Sequence, residues 1–226
     1  MTTGEIIELC LLIGIILLLV VSQLLITATY NKYSQKEASL PATGKEIVEN
    51  MLNANAITDV ELGYTNGTLD DHYNHKYKTI NLSKNSYKTN SVAAIAVAAH
   101  ETGHAVQDHT NYFMLKLRKF LGPICAISSR LVWVVIFVGI ILGFFDLIII
   151  GLALMGVTIL FQLITLPVEF DASRRAVQYL ETVGYDEETM TGIRKMLRAA
   201  AFTYVASTLA SLMQMLRLIL NLNRKD

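Results

Sequence analysis

Two histidines and one glutamate lie close together in an otherwise apolar stretch, Ala98 to Val106. His100 and His104 are four residues apart, and Glu101 directly follows the first histidine. Because residues four apart share one face of an α-helix, both imidazoles can point at one metal ion. This H-E-x-x-H pattern predicts a zinc site in which the glutamate acts as general base for peptide hydrolysis.

A catalytic zinc ion takes three protein ligands and keeps one position for water, so a third ligand must come from elsewhere in the chain. The metzincin pattern is excluded, because Gln107 and Thr110 stand where it requires glycine and histidine. A downstream carboxylate is the alternative, and Glu169 is the best placed. Cys10 and Cys125 lie in or beside apolar segments, which leaves histidine and carboxylate to hold the metal.

The composition is that of a membrane protein. Of the 226 residues, 53% are apolar, and the mean hydropathy is +0.42. The net charge is zero and basic residues do not alternate with aromatic ones, so nucleic acid is not an expected partner. We predict a mainly α integral membrane protein with three or four membrane helices and a small α+β zincin-like catalytic lobe containing a short β-hairpin or sheet.

The chain divides into five predicted segments. They are a membrane anchor (1–31), a lobe with the H-E-x-x-H helix (32–120), a transmembrane hairpin (121–168), a helical segment with the third ligand (169–198), and an apolar helix with a basic tail (199–226). The hairpin is expected to turn near Asp146, because a charge at mid-bilayer is costly. Whether residues 199–220 span the membrane, are buried or lie at its interface stays open.

The predicted lobe begins with a helix whose capping box is Thr43 and Glu46. Two strands follow, 57–64 and 77–82, and Ser91 is among the residues that can cap the motif helix. The hairpin returns the chain to the side it left, so the lobe and the third-ligand segment share one side of the membrane. Basic residues in both segments predict the cytoplasmic side: Lys32, Lys36, Lys45, Lys116, Arg118, Lys119, Arg174, Arg175, Arg194, Lys195 and Arg198.

Several longer motifs accompany these residues. They are Tyr30 to Ser34, Asp71-His72-Tyr73, Ser91 to Ala94, Ala99 to Gln107, Leu166 to Ala176 and Thr203 to Ala206. With them the chain resembles the YugP family of bacterial membrane zinc metallopeptidases over nearly its whole length. The resemblance implies a multi-pass protein of the bacterial cell membrane and a gluzincin-like peptidase. It also implies one zinc ion per chain, held by His100, His104 and Glu169.

At one position the sequence departs from the pattern of more distant relatives. In the more distant HtpX and CAAX-processing proteases, an aspartate follows the third-ligand glutamate by four residues, and here that position is Ser173. Asp171 is the alternative carboxylate, although residues two apart on a helix do not face the same way.

Oxyanion stabilisation and substrate alignment have several candidate residues. The candidate oxyanion or supporting residues are His72, Tyr73, Asp171, Arg174, Arg175 and Tyr204. The strand 77–82, with Tyr77, Thr79 and Asn81, is predicted to be an edge strand that aligns the substrate main chain. His75 and His109 are assigned to surface or loop positions.

The sequence thus favours a zinc endopeptidase that cuts membrane or membrane-proximal proteins, with zinc-bound water activated by Glu101. The alternative is a membrane scaffold or regulator whose structural zinc is closed by a fourth ligand such as His72 or His109. Cleavage inside the bilayer is disfavoured, because the motif follows a polar lobe. The expected partners are the lipid bilayer and a protein or peptide substrate; accessory membrane proteins, the cleavage specificity and the oligomeric state stay open.

Overall fold

The computed structural model describes residues 3–67 and 70–222, most of them in long helices. In chain order the elements are α1 (Thr3–Ser34), α2 (Gly44–Ala54), β1 (Glu61–Thr65), β2 (His72–Asn74), β3 (Thr79–Ser83), α3 (Lys84–Lys88), α4 (Val92–His109), α5 (Phe113–Leu142), α6 (Phe145–Val183) and α7 (Glu187–Leu222). The predicted fold class, a mainly α membrane protein with a small sheet, is confirmed.

Within the described residues, four helices are long and apolar enough to cross a membrane: α1, α5, α6 and α7. The sequence left the last of these open, because Arg217 and the basic tail would then lie on the outer side of the membrane, against the positive-inside rule. The tail, residues 223–226, lies outside the described residues. In the structure, Arg217 Nη2 lies 3.3 Å from Glu8 Oε1 of α1. Asn221 Nδ2 donates to the same oxygen at 2.9 Å. Since the charge has a partner, α7 can accommodate this arginine within an apolar helix.

The turn between α5 and α6 is short, as the predicted hairpin requires. Gly143 has a φ of +69°, a backbone conformation that glycine adopts without steric cost. Asp146 lies in the first turn of α6, where the positive end of the helix dipole favours a carboxylate. The aspartate therefore stands at the end of the hairpin, as predicted from the cost of burying it in lipid.

The described chain separates into two units. The membrane unit comprises the described parts of Met1–Gln23, Lys116–Leu166 and Phe202–Asp226. The lobe unit comprises the described parts of Leu24–Leu115 and Pro167–Ala201. Helices α6 and α7 continue without a break across residues 168/169 and 198/199, which the sequence had marked as segment boundaries.

The sheet of the lobe unit has the strand order β1-β3-β2. β1 is parallel to β3, and β2 is antiparallel to it. β3 is therefore the central strand, with both edges hydrogen-bonded, so the prediction of an edge strand through Thr79 and Asn81 is wrong. Tyr77 precedes β3 and is largely exposed. The strand that was missed, β2, has only three residues and no clear apolar alternation.

The core of the lobe unit forms around α4. Its first turns consist mainly of buried alanine, valine and isoleucine, whose small side chains let neighbouring elements approach closely. Ser91 caps this helix by accepting a hydrogen bond from Ala94 N at 3.2 Å. The capping box predicted for α2 is present, with Thr43 and Glu46 each bonded to the backbone of the other. Ile47 and Val48 of α2 are fully buried in the same core.

Candidate metal centre

Helix α4 brings the two motif histidines to the same face, one turn apart. His104 is buried and His100 is partly buried. Their ring centroids are 4.8 Å apart, with the ring planes at 79° to each other.

The third member of the centre comes from α6. Glu169 is 2% exposed, and its Oε2 lies 3.3 Å from His100 Nε2 and 3.6 Å from His104 Nε2. One ligand atom from each of the three residues falls within 4.8 Å of the others. Among the described residues these three are the set that could hold a metal ion; neither His72 nor His109 belongs to it. The donor set is two imidazoles and one carboxylate.

A glycine lets α6 come close enough to α4 for this arrangement. A Cβ atom placed on Gly103 would lie 2.6 Å from the main-chain oxygen of Ala172, much closer than real Cβ contacts. Glu169, Ala172 and Ser173 share one face of α6, since they are spaced by three and four residues. The absence of a side chain at Gly103 therefore allows the glutamate to reach the histidines.

Glu101 is held beside the histidines by the backbone of β2. Its Oε2 accepts a hydrogen bond from Tyr73 N–H at 2.9 Å. Burial raises the pKa of the Glu101 carboxyl to about 7; nearby His100 lowers it, and the charge of Glu169 adds to the increase. A carboxylate with this pKa can accept a proton and release it again near neutral pH.

In each histidine, the ring nitrogen Nδ1, which is not the one nearest Glu169, also has a side-chain partner. His100 Nδ1 lies 3.1 Å from Ser173 Oγ, and His104 Nδ1 lies 3.0 Å from Gln107 Oε1. Both partners were missed as supporting residues by the sequence reading, which looked for a carboxylate. The available signal for Gln107 was a polar side chain one helical turn from a histidine in a buried helix. For Ser173 it was a polar side chain one turn from Glu169 in α6.

Asp171 does not contact either histidine directly. Its Oδ2 accepts hydrogen bonds from Arg175 Nε at 2.6 Å and from Gln107 Nε2 at 3.0 Å, and Arg174 donates to Oδ1. The guanidinium of Arg175 also lies over the ring of Tyr112, 5.9 Å from its centroid. In this structure the two arginines are ion-pair partners of Asp171, and Asp171 reaches the metal centre through Gln107.

The remaining candidate oxyanion donors have other contacts. The Tyr73 hydroxyl donates to Asp108 Oδ2 at 2.8 Å. His72 is exposed, with Nδ1 2.9 Å from Asp70 O and Nε2 3.3 Å from Asn81 Nδ2. Tyr204 lies in α7, in the membrane unit.

His75 and His109 occupy positions consistent with their surface assignment. His75 follows β2, and His109 ends α4 at an exposed position.

Two histidines one helical turn apart and a buried glutamate are a donor set of the kind that zinc metallopeptidases use. Residues 8–223 match the family described as "putative neutral zinc metallopeptidase", and the chain belongs to this family. The chain is 40% identical over 209 residues to a protein of Bacillus subtilis (strain 168) named "Putative membrane protease YugP", covering 91% of this chain and 92% of that protein. The resemblance to the YugP family is thus confirmed. No solved structure matches the chain.

Proposed function

We propose that this protein is a membrane-integral, zinc-dependent endopeptidase that hydrolyses peptide bonds of membrane or membrane-proximal proteins. The observation that carries the proposal is the convergence of His100, His104 and Glu169 on one point, with the half-buried Glu101 held beside them. These three residues would hold one zinc ion per chain. Three protein ligands leave the fourth position free for water or substrate, as a catalytic site requires.

The ligand geometry fits zinc. In a tetrahedral site with zinc–ligand distances of about 2.0–2.2 Å, ligand atoms are separated by about 3.3–3.6 Å. The two histidine–glutamate separations are 3.3 and 3.6 Å. Two imidazole nitrogens and a carboxylate oxygen are a donor set that suits zinc.

Zinc, when bound, polarises a water molecule and the carbonyl group of the substrate. Glu101 accepts the proton of the attacking water and then delivers it to the leaving amine, so one carboxyl serves as base and as acid. The Tyr73 N–H fixes the orientation of this carboxylate.

The substrate main chain is aligned along β2. β2 is an edge strand, and the Tyr73 N–H points away from β3 because it donates to Glu101. The edge of β2 that does not pair with β3 therefore lies beside the general base. An extended peptide that pairs with this edge brings its main chain to the reacting groups, which is the role that the sequence had assigned to β3.

We place the lobe unit on the cytoplasmic side of the membrane. The support is the excess of basic residues near the membrane ends of the helices that enter it. The motif helix α4 is not among the four described helices that qualify as spans, which supports chemistry in the lobe and not inside the bilayer. Cleavage of the lobe by added protease in inverted but not in right-side-out vesicles tests this orientation.

The proposed function is tested with the purified full-length protein in detergent or liposomes. Glu101→Gln keeps the shape of the side chain but removes the base, so we expect unchanged zinc content and a loss of peptidase activity of about 10²–10⁴-fold. Glu169→Ala removes a ligand, and we expect loss of zinc as well as activity. Glu181→Gln, an exposed glutamate on the same helix, is the matched control and should change neither.

Zinc content and turnover together separate the alternatives. Full activity of Glu101→Gln contradicts the mechanism, and full zinc occupancy of Glu169→Ala contradicts the ligand set. Four protein ligands on the bound zinc, measured by X-ray absorption, would support a structural site in a membrane scaffold instead.

A further inference from the structure

We propose that Gln107 is a positioning residue that fixes the tautomer and the orientation of His104 and couples this ligand to α6. The inference rests on the proposed function, because it assigns His104 as a zinc ligand. Gln107 is fully buried, and its side-chain amide makes three contacts with other groups. Through these contacts Gln107 connects His104 with Asp171, whose carboxylate forms ion pairs with two arginines.

The orientation of the amide follows from its partners. Gln107 Nε2 lies 2.7 Å from Val168 O and 3.0 Å from Asp171 Oδ2. Both partners are acceptors, and the amide nitrogen has two hydrogens to donate. Rotating the amide by 180° would place its oxygen against these two acceptors and leave them without donors in a buried site. The nitrogen therefore faces α6, and the carbonyl oxygen faces His104.

The amide orientation in turn determines which nitrogen of His104 carries hydrogen. Gln107 Oε1 lies 3.0 Å from His104 Nδ1 and can only accept. A hydrogen bond between these two atoms therefore requires a hydrogen on Nδ1. Its Nε2, which faces Glu169, then has a free lone pair for a metal ion. Two acceptors on α6, Val168 O and Asp171 Oδ2, thus determine which nitrogen of His104 carries hydrogen.

His100 differs from His104 in this respect. Its Nδ1 contacts Ser173 Oγ, and a hydroxyl can donate or accept by rotating. Ser173 therefore supports the position of His100 without choosing its tautomer. The distinction assigns unequal roles to the two supporting residues, and Ser173 provides a matched comparison for Gln107.

The Asp171 carboxylate acts through Gln107. Arg175 and Arg174 hold it in place, and one of its oxygens receives an amide hydrogen of Gln107. Asp171 thereby fills the supporting role of the carboxylate expected at position 173, although it follows Glu169 by only two residues. Asp171 does not contact His104 directly from its position on α6, and Gln107 connects the two side chains.

The test uses the full-length protein with ¹⁵N-labelled histidine, zinc-free and at about pH 8, where an ordinary imidazole is neutral. The His104 signal is assigned by its absence in His104→Ala. We expect wild-type His104 to carry hydrogen on Nδ1, and Gln107→Leu, which is similar in size but lacks the amide, to lose this preference. Ser173→Ala should leave the His104 signal unchanged.

Zinc affinity, measured by competition with a chelator, gives the second readout. Loss of a hydrogen-bond partner of a metal-ligating histidine typically weakens metal binding by about 10–100-fold, and we expect this range for Gln107→Leu. Wild-type affinity together with an unchanged tautomer in this variant would overturn the proposal.

A wild-type His104 protonated mainly on Nε2 would overturn the proposal without any variant, so the test does not depend on the folding of Gln107→Leu. Absence of zinc binding in the wild type would instead contradict the proposed function. The tautomer measurement in zinc-free protein distinguishes the two failures.

Discussion

The lobe unit and the membrane unit are both rich in apolar residues but use them differently. In the lobe unit, apolar side chains from α2, β3, α4, α6 and α7 form one buried cluster. In the membrane unit, the buried cluster consists of Val132, Ile136, Met155 and Ile159. Many of its leucines, isoleucines and valines are exposed on the helix surfaces instead. Water drives apolar groups inward, whereas lipid solvates them, so the same residue types serve two solvents.

The two units also treat their polar groups differently. Hydroxyl groups in the membrane unit mostly bond back to their own helix, as Thr158 Oγ1 does to Leu154 O and Thr165 Oγ1 to Phe161 O. In the lobe unit, Thr102 also bonds back to its own helix, but other buried polar side chains bond between elements, as Gln107 does between α4 and α6. Bonds between elements fix relative positions, which a metal centre needs and a lipid-facing helix does not.

The largest difference is expected at the close approach of α4 and α6. Gly103→Ala forces the two helices apart, because the new Cβ would lie 2.6 Å from the Ala172 main-chain oxygen. A shift of about 1 Å in a reacting group can cost 10²-fold, and we expect peptidase activity to fall by about this factor. Gly156→Ala is the matched control in the membrane unit, since its Cβ meets nothing within 4 Å. Equal activity of the two variants would remove the packing explanation.

The next largest effect is expected when a side chain in the buried core of the lobe unit is shortened. Ile95 of α4 is 0% exposed and Ile141 of α5 is 65% exposed. Ile95→Ala should lower the free energy of unfolding in detergent by about 2–5 kcal/mol, because it leaves a cavity. Ile141→Ala leaves no cavity and should change it by less than about 0.5 kcal/mol. Similar losses in both variants would mean that the membrane unit is packed like the lobe.

A newly introduced charge should have the opposite effect: it should harm the membrane unit more than the lobe unit. Leu17 of α1 is 57% exposed, and Asn50 of α2 is exposed on the lobe. Leu17→Lys places a charge on a lipid-facing surface, which costs about 2.5–3.5 kcal/mol at the centre of a membrane helix. The expected result is a reduced fraction of inserted protein in membrane extraction assays. Asn50→Lys should insert normally, and a reduction there would argue that the α2 surface also contacts lipid.

The smallest expected difference in the free energy of unfolding is between variants of Ser91 in the lobe unit and Ser129 in the membrane unit. Ser91 Oγ accepts from Ala94 N at the start of α4, and its removal in Ser91→Ala should lower the free energy of unfolding by about 1 kcal/mol. Ser129 Oγ bonds back to Ala126 O of its own helix, and Ser129→Ala should have an effect within about 0.5 kcal/mol. Denaturant unfolding in detergent measures both, and a larger loss for Ser129→Ala would contradict the comparison.

Local patterns in the sequence were sufficient to predict much of this molecule. The H-E-x-x-H spacing, the capping box of α2 and the uncharged apolar runs depend on neighbours within one or two helical turns. The sheet was harder, because strand order depends on contacts between distant residues. A three-residue strand such as β2 carries almost no periodic signal, so β3 was taken for the edge strand.

The supporting contacts of the metal centre show where sequence reasoning ends. The sequence alone indicated which residues could hold a metal ion, because helical spacing places His100 and His104 together and the apolar runs predict a hairpin that precedes Glu169. Only the tertiary structure decided that Gln107 and Ser173 orient these histidines and that Tyr73 holds Glu101 by its backbone. Such contacts depend on the distance and rotation between packed elements, and Gly103 sets both where α4 meets α6.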